Sequence, residues 1–333
     1  MEEHRVKKFA VAFAAVLMAA VAVAEDEKPV GLILHERGAF DGYHLFSPLD
    51  QAGTYLMDNQ GRVVHFWEAE YRSGANYLLE NGNLLRPTSY GNGGNGHFKG
   101  GGAAYGIREI AWDGTVLWDW TYASEDYLMH HDIAPMPNGN ILVIAWERKT
   151  KEEAIAAGRD PELVGDDGIW PLHVVEVKPV RPNGGEIVWS WHVWDHLVQD
   201  FDPEKANYGK VEEHPELLDI NPQGLWMERI SDEEREQLEA LGYLCWETDT
   251  DKSNRARRGR AKNADWLHTN GIDYNAELDQ IALSVLGNNE IWIIDHSTTK
   301  EEAAGHTGGN SGKGGDILYR WGNGFAYRLA PES

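Results

Sequence analysis

The chain of 333 residues contains a single cysteine, Cys245. One thiol cannot form an intrachain disulfide, and it excludes a metal site built from several cysteine thiolates. The fold must therefore be held together by packing. The composition is sufficient for this, since 42% of the residues are apolar and 14 are tryptophan. A chain of this length holds one large domain or two ordinary ones and is not disordered.

Positive charge is scarce, because 30 Lys and Arg residues face 54 Asp and Glu residues, for a net charge of -24. This excess of negative charge repels nucleic acid and anionic membrane surfaces, so we expect neither as a partner. It also repels an anionic small substrate, whose site then needs local cations or hydrogen-bond donors. Histidines are the obvious candidates for such groups.

Long hydrophobic runs are absent after residue 23. The one such run covers residues 9–23, after three basic residues and with the small-residue sequence Ala-Val-Ala at its end. This pattern is typical of a secretory signal peptide over residues 1–24, and the run is short for a membrane span. We expect a mature protein, residues 25–333, that is soluble and periplasmic or secreted, without a membrane partner. A retained N-terminal anchor is the alternative.

A hairpin pattern recurs along the chain. Two runs of β-branched or aromatic residues flank a turn in four segments, at 54–67, 107–120, 174–191 and, with a long polar loop, 291–321. Further strands are predicted at 31–34 and 43–46. A repeat of about 50 residues with four strands and a Trp-bearing hairpin is typical of a β-propeller blade. The chain is therefore predicted to be all-β; a stack of sandwich domains is the alternative.

Two polar segments interrupt this repeat. Residues 147–170 predict a short helix near 152–157. Residues 196–264 read as a partly helical loop insertion, in which Ser231 and Glu234 form a capping box for a helix ending near Leu241. The basic cluster at 255–262 then precedes a histidine-containing motif, and a solvated face explains such a charge run best.

Histidine recurs at one point of the repeat. His130, His131 and Asp132 precede one strand, and His268 and Asn270 precede another. The innermost strand of each blade lines the channel of a propeller, so residues next to it converge there. Imidazoles in such a channel can act as nucleophile, acid, base or metal ligand. The alternative is that these histidines only form hydrogen bonds between blades.

A metal site is a weaker interpretation of these residues. His130, His131, Asp132 and His268 offer suitable nitrogen and oxygen ligands, which keeps a metal-dependent hydrolase or lyase open. Adjacent side chains on an extended strand point to opposite faces, however, so His130 and His131 are not expected to share an ion. The glycine-rich loops lack the spacing of a phosphate-binding loop. We expect no cofactor.

At these motifs the chain resembles the bacterial arylsulfate sulfotransferase family, over residues 31–327. Five segments carry the resemblance in order: 53–58, 130–140, 265–270, 291–296 and 318–323. The resemblance implies a six-bladed propeller that moves a sulfuryl group from an aryl sulfate to a phenol through a sulfohistidine, without a nucleotide donor. It implies that His268 and Asn270 contact the sulfate and that His130 or His131 is the second channel histidine. Asp132 is a further candidate for substrate binding.

Two departures from the family stand out. Leu286 occupies the place of a family arginine, and no residue matches the family's nucleophilic histidine, which follows the segment ending at Asn323. The length predicts four to five blades, so we expect either a fragment of a longer reading frame or a propeller that closes on a partner, for instance as a homo-oligomer. This chain is then expected to be impaired, and a non-catalytic propeller that binds aromatic or sulfated ligands is the alternative.

Overall fold

The computed structural model describes residues 31–49, 51–89, 95, 98–221 and 264–328. Two compact units are present. The smaller one comprises residues 31–44 and 56–65 of the described chain, and the larger one comprises 45–55 and the described residues from 66 onward. None of the helices in these ranges has the length and apolar character needed to cross a membrane.

The secondary structure is almost entirely β, as predicted. The strands are β1 (Tyr43–Phe46), β2 (Thr54–Asp58), β3 (Val63–Trp67), β4 (Tyr77–Leu78), β5 (Leu84–Thr88), β6 (Gly106–Ile110), β7 (Val116–Thr121), β8 (Tyr127–Pro135), β9 (Ile141–Glu147), β10 (Leu172–Val180), β11 (Gly184–His192), β12 (Leu197–Val198), β13 (Leu218–Asp219), β14 (Thr269–Asn275), β15 (Gln280–Val285), β16 (Glu290–Asp295) and β17 (Tyr319–Gly322). The α-helices are α1 (Lys151–Ala156) and α2 (Lys300–Ala303), and short 3₁₀ turns cover Pro161–Leu163, Val193–Asp195, Val211–Glu213, Leu286–Asn288 and Gly324–Tyr327.

The strands form a four-blade β-propeller arrangement. The first sheet has the order β1-β2-β3, and three four-stranded sheets have the orders β4-β5-β6-β7, β11-β10-β9-β8 and β14-β15-β16-β17. The strands of these last three sheets run antiparallel to their neighbours. The described residues therefore hold four blades, at the lower end of the predicted four to five.

Turns of one kind connect strands in the second and third blades. Gly82, Gly114 and Gly139 each adopt a positive φ, between 84° and 88°, at the corner of a turn, where a side chain is strained. Asn or Asp stands one residue before each glycine, and its side chain accepts a backbone N–H of the same turn. The Asn-Gly and Asp-Gly pairs in the sequence therefore mark real hairpin and strand connections.

The strand predicted at 31–34 is absent. Leu32, Ile33 and Leu34 are exposed, at 52% to 71% of their full accessibility, and no described strand pairs with them. An apolar run of this length suits a strand only where a neighbouring strand supplies hydrogen bonds. The prediction was wrong because periodicity alone does not supply that partner.

Tryptophans link successive blades. The indole N–H of Trp67 in β3 donates to the Ala111 carbonyl at 3.1 Å, and that of Trp118 in β7 donates to Gly184 at 2.7 Å. Trp191 in β11 donates to Gly315, in the loop before β17, at 2.6 Å. In each case a side chain from the last strand of one blade satisfies a backbone carbonyl of the next blade.

The predicted helix near 152–157 is confirmed as α1. Thr150 and Glu153 form a complete capping box at its N-terminus. Within the predicted insertion, residues 196–221 contain the parallel pair β12–β13, and Val211, Leu218 and Ile220 are fully buried or nearly so. The predicted helix over 231–241, the basic cluster at 255–262 and the signal peptide lie outside the described residues.

Candidate functional site

The same backbone irregularity occurs in the first strands of two adjoining blades, β8 and β14. Strand pairing is interrupted between Met129 and Ile133 in β8 and between Thr269 and Gly271 in β14. His131, inside the interruption of β8, and His268, one residue before β14, adopt left-handed backbone angles, with φ of 49° and 43°. Such values are uncommon for residues with a side chain, and strained backbone and bulges are frequent at functional sites.

The irregularity brings the histidines together. The rings of His131 and His268 lie 4.8 Å apart at 80°. The Nδ1 atoms of His130 and His131 lie 3.0 Å apart, within hydrogen-bonding distance. The expectation that these two neighbours point to opposite faces is wrong, because that alternation requires an extended backbone and His131 leaves it.

His130 does not face solvent. It is fully buried and stacks on Trp146, with ring centroids 3.8 Å apart at 17°. Burial, together with the neighbouring His131 and His268, lowers the pKa of His130 well below its usual value, so the ring is neutral. His130 therefore lies in the interior, where its Nδ1 contacts the Nδ1 of His131.

His131 is also neutral near pH 7. Burial first, and then the proximity of His268, lowers the pKa of His131 from 6.5 to about 4, although Asp265 opposes this shift. A neutral imidazole keeps one ring nitrogen with a free lone pair. His131 thus offers a donor and an acceptor without needing to lose a proton.

His268 is paired with a carboxylate. Asp265 Oδ2 lies 2.5 Å from His268 Nδ1, and its Oδ1 accepts the His268 backbone N–H at 3.1 Å and the Trp146 indole N–H at 2.8 Å. Because the carboxylate only accepts, Nδ1 carries the proton, which leaves Nε2 as the atom with a lone pair. An Asp–His pair of this kind orients an imidazole for nucleophilic or base chemistry.

A cavity of about 580 Å³ adjoins the histidines. Three of the predicted site residues, His131, Asp132 and Asn270, line it, whereas His130 and His268 are not among its lining residues. The other lining residues are small or polar side chains, one leucine and one arginine, namely Leu49, Arg72, Ser73, Gly74, Ala75, Ser89, Gly100, Gly102 and Ala103. The volume is within the range of small-molecule sites.

Asp132 and Asn270 differ in their contacts. The Asp132 carboxylate accepts the Tyr77 hydroxyl at 2.6 Å and the backbone N–H groups of Ile133 and Ile272 at 2.9 and 3.3 Å. It thereby joins three blades. Asn270 is exposed, and its amide forms no hydrogen bond with the residues that the structure describes. Its amide is available to a ligand.

Arg72 is a cavity residue that the sequence analysis missed. It is exposed at the cavity wall, and it forms no ion pair with any described residue. Its position in sequence was a usable signal, since it directly precedes Ser73, which stands at the point of its blade where His130 stands in another. Asp265 was missed as a partner of His268, although the Asp-x-x-His spacing was visible.

The site lacks a cation from the strands of the fourth blade. Leu286, at the place of the family arginine, is 43% exposed and does not line the cavity. Arg86 is buried and donates to the carbonyls of Ala52 and Tyr71, and burial lowers its pKa to about 10. Arg108 pairs with Asp119 at 2.8 Å. Among the described residues that line this cavity, the cation is therefore Arg72, from the loop between β3 and β4.

The chain is similar to several solved structures at low sequence identity. Similar solved structures include hydrazine synthase from Kuenenia stuttgartiensis, with 12% identity, a TM-score of 0.42, and coverage of 84% of this chain and 59% of that one. Another is a protein of unknown function from Bacteroides caccae, with 12% identity, a TM-score of 0.35, and coverage of 86% and 74%. Neither similarity is close enough to inform function, and no curated protein matches the chain.

The profile of the family described as Arylsulfotransferase (ASST) matches residues 21–301. This range includes all three histidines, Asp265 and the described residues that line the cavity. It agrees with the blade arrangement and with the motifs at residues 130–132 and 265–270. The chain belongs to the arylsulfotransferase (ASST) family.

Proposed function

We propose that the chain binds an aryl sulfate in the 580 Å³ cavity and takes part in sulfuryl transfer to a phenol. The observation that carries this proposal is the contact between two imidazoles, His131 and His268, beside a cavity with Arg72 on its wall. We also propose that the protein acts in the periplasm or outside the cell, because residues 1–24 have the pattern of a secretory signal peptide.

The sulfate group would lie near Arg72 and Asn270. A guanidinium offers several N–H donors in a fixed plane and suits an oxyanion, and the Asn270 amide adds a neutral donor. These donors compensate locally for the net charge of -24, which otherwise disfavours an anionic substrate. Donors aimed at sulfuryl oxygens that gain charge in the transition state contribute to the rate as well as to binding.

We assign the transfer to His268 because of its pairing with Asp265, although the family resemblance gives His268 only a contact with the sulfate and matches no residue to the nucleophile. The Nε2 lone pair of His268 would form a bond to sulfur while the bond from sulfur to the aryl oxygen breaks, and the leaving aryloxide keeps that electron pair. In the second half, a phenol oxygen attacks the sulfur, the N–S bond returns its electrons to Nε2, and the phenol proton passes to solvent. Asp265 at 2.5 Å stabilises the cationic ring of the sulfohistidine.

His131 would act as a neutral donor next to this reaction. With a pKa of about 4, it is uncharged at pH 7 and donates through only one nitrogen. Asp132 would position the site rather than bind sulfate, because its oxygens already accept hydrogen bonds from Tyr77, Ile133 and Ile272. A carboxylate held in this way is also a poor partner for an anion.

The test is transfer from p-nitrophenyl sulfate to a second phenol. The full chain is expected to release p-nitrophenolate and, when the acceptor is withheld, to gain the mass of one SO₃ group on a peptide containing His268. His268→Ala should abolish both signals, and Arg72→Met should raise KM. Transfer that survives in His268→Ala with the SO₃ group on another histidine would overturn the assignment of the nucleophile.

A second candidate is a propeller that binds sulfate esters without turning them over. The observation in its favour is Leu286, an exposed apolar side chain at the place of the family arginine. Losing one charge-assisted donor typically costs about 3 kcal/mol of transition-state stabilisation. Saturable binding of p-nitrophenyl sulfate that depends on Arg72, without release of p-nitrophenolate, would support this candidate.

A further inference from the structure

A second group of histidines lies outside the cavity. His196 follows the 3₁₀ turn Val193–Asp195, and His306 and Asp316 lie in the long loop between β16 and β17. One ligand atom from each of the three residues lies within 4.8 Å of the others. No motif in the sequence predicted a role for any of these three residues.

The ring of His196 is held in one orientation. It is fully buried and stacks on Trp191, with ring centroids 5.7 Å apart at 9°. Its Nε2 lies 2.9 Å from the backbone carbonyl of Ala303, at the end of helix α2. Because a carbonyl only accepts, Nε2 carries a proton, and in the neutral ring Nδ1 then holds a lone pair.

That lone pair faces a carboxylate. His196 Nδ1 lies 2.9 Å from Asp316 Oδ1, and His306 Nδ1 lies 2.7 Å from the same oxygen. Two lone pairs at this distance repel each other unless a cation lies between them. Either a second proton on His196 or a metal ion meets this requirement.

Gly315, in the loop between β16 and β17, leaves space for the buried ring of His196. Gly315 precedes Asp316, and a Cβ placed on it would lie 2.6 Å from His196 Nε2 and 2.0 Å from the Ala303 carbonyl oxygen. Only glycine fits there without moving the backbone. A side chain at this position would break the contact between His196 and the carbonyl.

We propose that His196, His306 and Asp316 bind a zinc ion. Two imidazole nitrogens and one carboxylate oxygen are ligands of the type that zinc prefers. The bond from His196 Nε2–H to a backbone carbonyl is the usual support of a metal-binding histidine, since it fixes the ring and its tautomer. His306 is 59% exposed at its side chain, so it can adjust to zinc–nitrogen distances, and water completes the coordination.

The zinc ion would tie two segments together. His196 precedes the segment that contains β12 and β13, whereas His306 and Asp316 belong to the loop that leads into β17. An ion bound by the folded chain and not by the unfolded chain stabilises the fold by mass action. We therefore expect a structural role for the zinc ion.

The experiment uses the full chain, stripped with a chelator and then titrated with zinc. One zinc ion per chain and a rise in Tm that excess chelator reverses are the expected results. His306→Ala, at an exposed position, should still fold and should bind zinc at least tenfold more weakly. His214→Ala, which alters a histidine that contacts Glu216 instead, is the matched control and should bind zinc as the parent does.

Cobalt provides a second readout of the same ligands. The cobalt-loaded parent should show visible absorption bands of a four- or five-coordinate ion, and His306→Ala should lose them. Failure of the parent to retain zinc, or equal zinc affinity in the parent and His306→Ala, would overturn the proposal. The cluster would then be a network in which protons bridge the two imidazoles and the carboxylate.

Discussion

The blades β8–β11 and β14–β17 use one backbone device for two different histidines. In each blade the first strand is interrupted and a histidine adopts a left-handed φ, of 49° at His131 and 43° at His268. The partner of Nδ1 differs. His131 faces the imidazole of His130 at 3.0 Å, whereas His268 faces the carboxylate of Asp265 at 2.5 Å.

This difference separates two chemical roles. A carboxylate partner stabilises positive charge on His268, so that ring suits a step in which a bond forms at Nε2. An imidazole partner gives His131 no such support, and burial keeps the ring neutral. The repeat therefore supplies the positions of the two histidines, and the role that we propose for each histidine rests on the neighbour of its Nδ1.

The largest expected effect is on transfer in His268→Ala. Removal of the proposed nucleophile should lower kcat/KM for p-nitrophenyl sulfate by about 10³-fold or more, whereas His131→Ala, which removes one donor, should lower it by about 10²-fold. Release of p-nitrophenolate measures both. Equal losses in the two variants would remove the distinction between the blades, and a larger loss in His131→Ala would reverse it.

The next effect concerns acid stability. The unfolded chain protonates His131 near pH 6.5, whereas the folded chain does so only near pH 4. The contribution of the neutral His131 ring to the free energy of unfolding is thus complete above pH 6.5. About 3 kcal/mol of this free energy is lost as the pH falls from 6.5 to 4. His131→Asn, which tolerates a left-handed backbone, should show a smaller loss over this range.

Urea unfolding of both proteins at several pH values measures this difference. The comparison is between the slopes against pH, since His131→Asn also changes the stability at neutral pH. Identical slopes in the parent and the variant would mean that His131 titrates normally in the folded chain.

Two neighbouring glycines test how closely each histidine is packed. A Cβ on Gly102, whose φ is +73°, would lie 2.3 Å from His131 Nε2, while a Cβ on Gly101 would lie 3.5 Å from His268 Cε1. Gly102→Ala should cost about 2 kcal/mol of unfolding free energy, from overpacking and backbone strain. Gly101→Ala, the matched control, should cost less than about 0.5 kcal/mol. Similar costs for both, measured by urea unfolding, would contradict the difference in packing.

The smallest expected effect contrasts Asp132 with Asn270. Tyr77→Phe removes the 2.6 Å hydrogen bond to Asp132 and should cost about 1 kcal/mol of stability. Asn270→Ala should leave stability within about 0.5 kcal/mol, because the amide has no hydrogen-bond partner in the described chain, yet it should raise KM. A loss of stability in Asn270→Ala comparable to that in Tyr77→Phe would show that both residues are structural.

The blade repeat could be predicted from the sequence, because Asn-Gly and Asp-Gly turns between apolar runs are local signals. The same reasoning placed His130, His131 and His268 near one point, and the structure brings their rings together. It could not tell that His131 rather than His130 lines the cavity. That choice depends on a left-handed backbone angle at a residue with a side chain, for which the sequence has no reliable signal.

The residues that contact the histidines could be identified only from the folded structure. Trp146 and Asp265 are 119 residues apart, and their hydrogen bond forms only when two blades meet. Arg72 reaches the cavity from a loop before β4, whereas Arg86 and Arg108, which lie on the neighbouring strands β5 and β6, do not line it. Those two residues satisfy backbone carbonyls and acidic side chains instead. Contacts between residues so far apart in the chain leave no periodic pattern in the sequence.

The indole hydrogen bonds between blades have a consequence for how the site is lost. Because Trp67, Trp118 and Trp191 each link one blade to the next, the blades form a series whose stability includes nearest-neighbour terms. His131 and His268 lie on opposite sides of one such junction. The two blades at this junction share one buried core, with Leu142 and Val174 on one side and Leu283 on the other. The two imidazoles therefore stay in contact for as long as this shared core stays closed.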